Sequence, residues 1–185
     1  MARKASCLSE GSSGAGTIVV SGNARLFVGT GTFMLGFDEL VAAADAAAGA
    51  MSLKGLAQIG HSRIKPKHLC YERFLPIEDM RRAMIEADLI VCHGGVGILG
   101  EAMRARKSII AVARRGPTTR DHPAGDQLTF LERLARTAPI RVCSSPLDLA
   151  QHIRELLPTL HAIDYELSTD VPAIISDFLA SGRPS

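Results

Sequence analysis

Residues 89–101 read Leu-Ile-Val-Cys-His-Gly-Gly-Val-Gly-Ile-Leu-Gly-Glu: an apolar strand, a glycine-packed turn, then a helix that soon carries an acid. That order places backbone N–H groups and the positive end of a helix dipole where an anionic phosphate can approach. Gly94, Gly95 and Gly97 lack a Cβ, so the backbone can come close to a ligand and adopt left-handed angles at little cost. The chemistry suggested is nucleotide binding. The plainer reading is that these glycines only let strand and helix pack tightly.

Other residues carry alternatives of their own. The string Gly95-x-Gly97-x-x-Gly100 matches a dinucleotide fingerprint, and Arg114 and Arg115 close the next strand, where a 2′-phosphate of NADP can be held. That fingerprint normally sits on the first strand of its fold, whereas about three strands precede it here. No Tyr-x-x-x-Lys accompanies it, and Tyr71 and Tyr165 lie away from the turn. His93, at a strand end beside a phosphate site, can neutralise charge or act as acid or base. It can equally bond backbone and fix the loop. Arg114 can pair with phosphate or hold its own loop, Asp126 suits a helix N-cap, and His122 is an accessory candidate.

These residues need elements to position them. Strands are expected at Leu26–Val28, Leu56–Ile59, Leu89–Cys92, Ile109–Val112 and Ile140–Val142, with a short extended segment at Leu69–Phe74. Helices are expected at Asp38–Ala48, Ile77–Ala87, Ile98–Arg106, Gln127–Thr137 and Leu147–Leu157. In Ile77–Ala87, Ile77, Met80, Met84 and Ile85 recur at helical spacing after Pro76, which suits a first turn. Strands alternating with helices predict an α/β domain: a Rossmann-like parallel sheet with helices on both faces, binding ligand at the carboxyl ends of its strands. The Gly29–Gly31 turn, the His93–Gly97 turn and the Arg114–Gln127 loop all fall at that edge.

Residues 1–24, rich in Gly, Ser and Ala, read as a flexible tail containing one β-branched run, Thr17–Val20. Residues 25–157 form the nucleotide-binding domain. Residues 158–185 form a C-terminal linker and a last helix, Val171–Ala180, whose Val171, Ile174, Ile175 and Phe178 make one apolar stripe. That stripe can pack on the domain itself or dock on a partner.

At 185 residues the chain can bury a core, and 46% apolar with 22% charged residues is a globular composition. A net charge of +2, 4% aromatics and no tryptophan argue against a nucleic-acid partner. Apolar runs such as Ile109–Ala113 are far below the ~20 residues of a membrane span, and no secretion signal is evident. Cys7, Cys70, Cys92 and Cys143 are widely spaced without a CxxC pair, which favours reduced thiols over zinc or a disulfide framework.

The motifs Phe27-Val-Gly-Thr30, Gln58-Ile-Gly60, Phe74 followed by Met80, Ala87-Asp-Leu-Ile90, His93-Gly-Gly-x-Gly97, Glu101-Ala-Met103 and Asp126-Gln127 occur in a telling order. Over residues 25–157 the chain resembles the C-terminal domain of family 28 glycosyltransferases, one half of a GT-B enzyme. It resembles most their free-standing small subunits, in the two-subunit lipid-linked UDP-N-acetylglucosamine transferase and in PssE/EpsE-type exopolysaccharide synthesis. The resemblance implies that Gly94, Gly95, Val96 and Gly97 hold the diphosphate of a UDP-sugar and that Glu101 accepts hydrogen bonds from the ribose. It implies further that Gly29, Thr30 and Gln58 flank the cleft with His93 and Arg114, and that Asp126 and Gln127 contact the donor sugar.

It also implies an inverting hexosyl transfer to a polyprenyl-diphosphate-linked acceptor, with UDP-sugar as donor substrate, no cofactor and no metal site. A membrane-anchored partner subunit would hold the chain at the inner, cytoplasmic face of the membrane. Two departures stand out: Ile98 replaces a Thr or Ser whose hydroxyl would face phosphate, and Asp126 replaces the usual His. One lost phosphate hydrogen bond costs ~1–2 kcal/mol of binding. A donor-binding subunit without turnover is the second reading, and an NADP-dependent oxidoreductase the third.

Overall fold

The computed structural model describes residues 24–116 and 126–165. Six strands, β1 (Arg25–Gly29), β2 (Lys54–Gln58), β3 (Cys70–Glu72), β4 (Leu89–His93), β5 (Ser108–Val112) and β6 (Arg141–Cys143), form one sheet in the order β3-β2-β1-β4-β5-β6. Every pairing is parallel; Leu26, for example, stands opposite Gly55 on one side and Leu89 on the other. Among the described residues four helices, α1 (Asp38–Met51), α2 (Ile77–Glu86), α3 (Val96–Arg104) and α4 (Leu128–Leu134), cross between strands, and a fifth, α5 (Leu149–Leu156), follows β6. The expected Rossmann-like α/β architecture is what the chain adopts.

Strand side chains alternate between the two faces, and both faces are buried. Leu26, Val28, Leu89, Val91, Ile110 and Val112 meet Leu40, Val41 and Ala44 of α1 and Leu149 and Ile153 of α5. Phe27, Ile90, Cys92, Ile109 and Ala111 meet Met84 of α2, Leu99 and Ala102 of α3 and Leu131 of α4. Continuous apolar runs are what a sheet covered on both sides requires.

The expected helix Leu147–Leu157 opens as a 3₁₀ turn, Pro146–Asp148, because the Ser145 hydroxyl accepts the Leu147 N–H and tightens the first turn. Past α5 the chain runs back over the domain rather than away from it. The Ile163 N–H bonds the Arg106 carbonyl, and buried Tyr165 donates its hydroxyl to the Lys107 carbonyl. The Thr17–Val20 run, His122 and the Val171–Ala180 helix lie outside the described residues. Cys92 and Cys143 are free and buried.

Asp45 on α1 anchors the loop that leads into β3. Its carboxylate accepts the N–H groups of Lys67, His68 and Leu69 at 2.8, 2.8 and 3.0 Å. Burial works to raise its pKa, but these donors, with His68 nearby, outweigh it and hold the carboxyl below its ordinary value. Asp45→Ala is therefore expected to cost about 2 kcal/mol in urea unfolding. A depressed folded pKa means that this contribution is complete above the unfolded value near 3.9 and disappears as pH falls through the folded one. The difference between wild type and variant should therefore shrink at the acid end of a pH series.

Candidate functional site

Between β1 and β4 the strand order reverses, so the chain leaves these two strands in opposite directions and a crevice opens at their carboxyl ends. A cleft of about 420 Å³ occupies it, lined by Gly31, Thr32, Phe33, Gln58, Met80, His93, Gly95, Gly97, Ile98, Arg114 and Gln127. Residues distant in sequence thus share one site: the turn after β1, the end of β2, α2, the β4–α3 turn, and the loop from β5 to α4.

His93 holds the centre. A Cβ on Gly31 would lie 2.3 Å from His93 Cε1, and one on Gly95 would lie 2.3 Å from His93 Nε2. The imidazole is wedged between the two glycine backbones and spaces the β1 turn from the β4 turn. Burial, with the nearby Arg114 charge, pushes its pKa down to about 4 against the pull of the Gly29 carbonyl. His93 is therefore neutral at pH 7, and as a base it is weak.

The glycines divide their work differently from the sequence reading. Left-handed angles occur at Gly31, Gly36 and Gly60, not at Gly94, Gly95 or Gly97. Gly94 admits Gln127 and Leu131, Gly95 admits His93, and Gly29 admits Ile98, whose Cδ1 would meet a Cβ there at 2.3 Å. Among the glycines of these turns only Gly97 faces open space, with nothing within 4 Å of a Cβ. It lies in the first turn of α3, whose N-cap, Gly95, supplies no side-chain hydrogen bond. The open N–H groups of a helix start therefore border the cleft.

Gln127 ties the site together. Its Oε1 accepts the Gly94 N–H at 2.9 Å and the Arg114 N–H at 3.3 Å, joining the ends of β4 and β5. With that oxygen committed, the amide can offer a ligand only donors. Gln58 Oε1 accepts the Leu75 N–H, and the Thr30 hydroxyl donates to the Gln58 carbonyl, so Thr30 is buried beneath the cleft. The Arg114 guanidinium stacks on Phe37 and Phe33, with ring centroids at 4.5 and 5.0 Å, and Nη1 bonds the Gly36 carbonyl. Its Nη2 is buried without a hydrogen-bond partner among the described residues. Arg114 also lines a larger neighbouring cavity of about 770 Å³.

Gly29, Thr30 and Gly94 are buried and absent from this lining, and three further sequence candidates stand apart from it. Asp126 accepts the Leu128 N–H just ahead of α4, whose N-cap is Gln127, and pairs with Arg115, and both contacts lower its pKa. Val96 is 72% exposed. Glu101, one turn beyond Gly97, is gripped by Arg81 of α2 and by Arg104. Ile98, 7% exposed, packs in the core on Gly29 while one edge reaches the cleft. Sequence reasoning missed Arg81 and Phe33 as neighbours of the site, since neither lies in a glycine turn or beside a candidate acid.

No family model and no curated protein matches the sequence. Solved structures do match. MurG of Acinetobacter baumannii superposes with a TM-score of 0.55 at 22% identity, over 86% of this chain and 50% of that one. CalG4, the calicheamicin glycosyltransferase, gives 0.56 at 17%, over 74% and 35%. The glycosyltransferase of kitacinnamycin gives 0.53 at 18%, over 82% and 39%. The chain thus has the fold of one Rossmann-like domain of GT-B glycosyltransferases and spans half or less of each.

Proposed function

We propose that this chain is the donor-binding half of a UDP-sugar-dependent hexosyltransferase acting on a polyprenyl-diphosphate-linked sugar in exopolysaccharide or oligosaccharide assembly. The observation that carries the reading is the open start of α3 at Gly97, at one end of a crevice whose wall holds the half-buried Arg114 guanidinium. An anionic diphosphate suits both features: the N–H groups and dipole at one end, a cation with an uncommitted donor at the other. In an inverting transfer the same groups stabilise the departing UDP without a metal.

His93, at a pKa of about 4, is too acidic to serve as the base. We assign the base, and the acceptor site, to a membrane-anchored partner at the inner face of the membrane. Among the described residues no helix is long and apolar enough to cross a membrane.

One observation favours the variant of this reading in which donor is bound without turnover. Ile98 fills the place of a phosphate-facing hydroxyl and is seated in the core, so no small movement restores a donor there. The dinucleotide reading loses ground. A Cβ at Gly100 would meet only the end of Arg104 at 3.6 Å, so no close helix–strand contact calls for glycine there, and Arg115 is paired with Asp126. Thermal unfolding with each ligand tests the proposal. UDP at 100 times its Kd is expected to add about 2.7 kcal/mol of stability and raise Tm, whereas NADPH leaves Tm unchanged. Stabilisation by NADPH alone would overturn the reading.

A further inference from the structure

The cavity of about 770 Å³ beside the cleft shares Phe33 and Arg114 with it as a common wall, and the donor site leaves it unused. Part of its lining is apolar, with Phe33, Leu35 and Pro146; the rest carries charges and hydroxyls. Most of those charges are spent on one another. The Arg63 backbone N–H and Nε bond the two Asp38 oxygens at 2.7 and 3.1 Å, and Arg115 is held by Asp126 at 2.9 Å. What remains is Arg114 and the exposed Glu39, which acts on Arg114 through its charge and has no hydrogen bond among the described residues. Arg114 bonds the Gly36 carbonyl through Nη1, and its Nη2 has no partner among the described residues. A guanidinium carries more N–H donors than that contact uses, so it can serve a ligand on either side of the wall.

One unspent acceptor facing one unspent donor selects the occupant. An anion would gain Arg114 but meet Glu39, and a cation would meet the reverse. A wholly apolar body would strip water from both and return no hydrogen bond. A hydroxyl both donates and accepts, so a ring with neighbouring hydroxyls satisfies carboxylate and guanidinium together. Ser144 and Ser145 add hydroxyls to the lining, and Ser145 Oγ accepts the Leu147 N–H, which leaves its O–H to donate. The C–H face of such a ring suits Leu35 and Pro146. A few convergent polar groups in an apolar lining of this volume are the usual form of a small-molecule site. We propose that the second cavity is a subsite for an uncharged sugar ring, with Glu39 accepting from its hydroxyls and Arg114 donating to them. The occupant is the acceptor ring that receives the transferred sugar, since the shared wall sets it beside the donor. That identity rests on the donor-binding reading above and leaves the lipid end of the acceptor to the partner.

NMR shift mapping on the isotope-labelled full chain tests this, with the methyl glycosides of glucose, galactose, mannose and N-acetylglucosamine as probes at millimolar concentration. At least one glycoside is expected to shift the amides of Leu35, Glu39 and Ser144, whereas UDP shifts those of Gly95 and Gly97. Glu39→Gln, at an exposed position that packs against nothing in the core, should weaken that glycoside about tenfold, the scale of a hydrogen bond to a charged group. An unchanged glycoside affinity in this variant would overturn the proposal. So would shifts from no glycoside, or glycoside shifts confined to Gly95 and Gly97, which would seat the sugar in the donor cleft. Inorganic pyrophosphate moving Glu39 and Ser144 where the glycosides do not would make the cavity an anion site and overturn it too. Glycoside shifts at Glu39 and Ser144 with no response of Gly97 to UDP would uphold the sugar subsite and overturn the donor-binding reading.

Discussion

Between pH 6.5 and pH 4 the protein is expected to lose about 3 kcal/mol of stability through His93 alone. Its imidazole is neutral in the fold because burial and the Arg114 charge push its pKa to about 4, whereas the unfolded chain protonates it near the ordinary value of 6.5. The unfolded state therefore binds more protons across that window, and stability rises with pH through it. The contribution is complete above pH 6.5, falls steadily toward pH 4 and changes no further below. Urea midpoints measured across the window should trace this slope, and His93→Asn should flatten it. An NMR titration placing the native His93 midpoint near 6.5 would refute the argument.

Gly31→Ala is the second large effect, with an expected cost of about 3 kcal/mol. The residue sits at φ 71°, where an L side chain is strained, and the added methyl would come 2.3 Å from His93 Cε1. A clash in a packed site is relieved only by moving the ring or the turn. Because the ring itself is the obstacle, His93→Ala in the same chain should recover about half of the loss, leaving the backbone strain. A double-mutant cycle by urea unfolding separates the two terms. Strict additivity would show that His93 does not hold the β1 and β4 turns apart. UDP affinity of the same variants then reports whether that spacing matters to the ligand.

How much of this was legible in advance depends on the range of the interaction. The α/β class, the helices α1 to α3 and the strands β1, β2, β4 and β5 follow from local patterns: apolar runs such as Leu89–Cys92, the Pro76 start, and the spacing of Met80 and Met84. That the turns after β1, β4 and β5 meet at one edge also follows, since parallel strands joined by crossover helices all point the same way. The irregular parts were less readable. The 3₁₀ opening at Pro146–Asp148 hangs on one Ser145 hydrogen bond, and the return of Ile163 and Tyr165 onto Arg106 and Lys107 rests on contacts across more than fifty residues.

The sequence by itself determined that a glycine-rich turn enters a helix at a sheet edge, with His93, Gln127 and Arg114 bound to gather there. Periodicity and turn chemistry are properties of neighbouring residues, and they need no knowledge of the rest of the chain. Only the tertiary structure decided what surrounds each of these glycines: Gly29 makes room for Ile98, Gly31 and Gly95 for His93, Gly94 for Gln127, while Gly97 faces open space. It alone decided that Glu101 is clamped by Arg81 from another helix and that Arg114 lies half-buried on two phenylalanines. A missing Cβ is the same in every glycine of a sequence; the atom that takes its place comes from elsewhere in the chain and is set by packing.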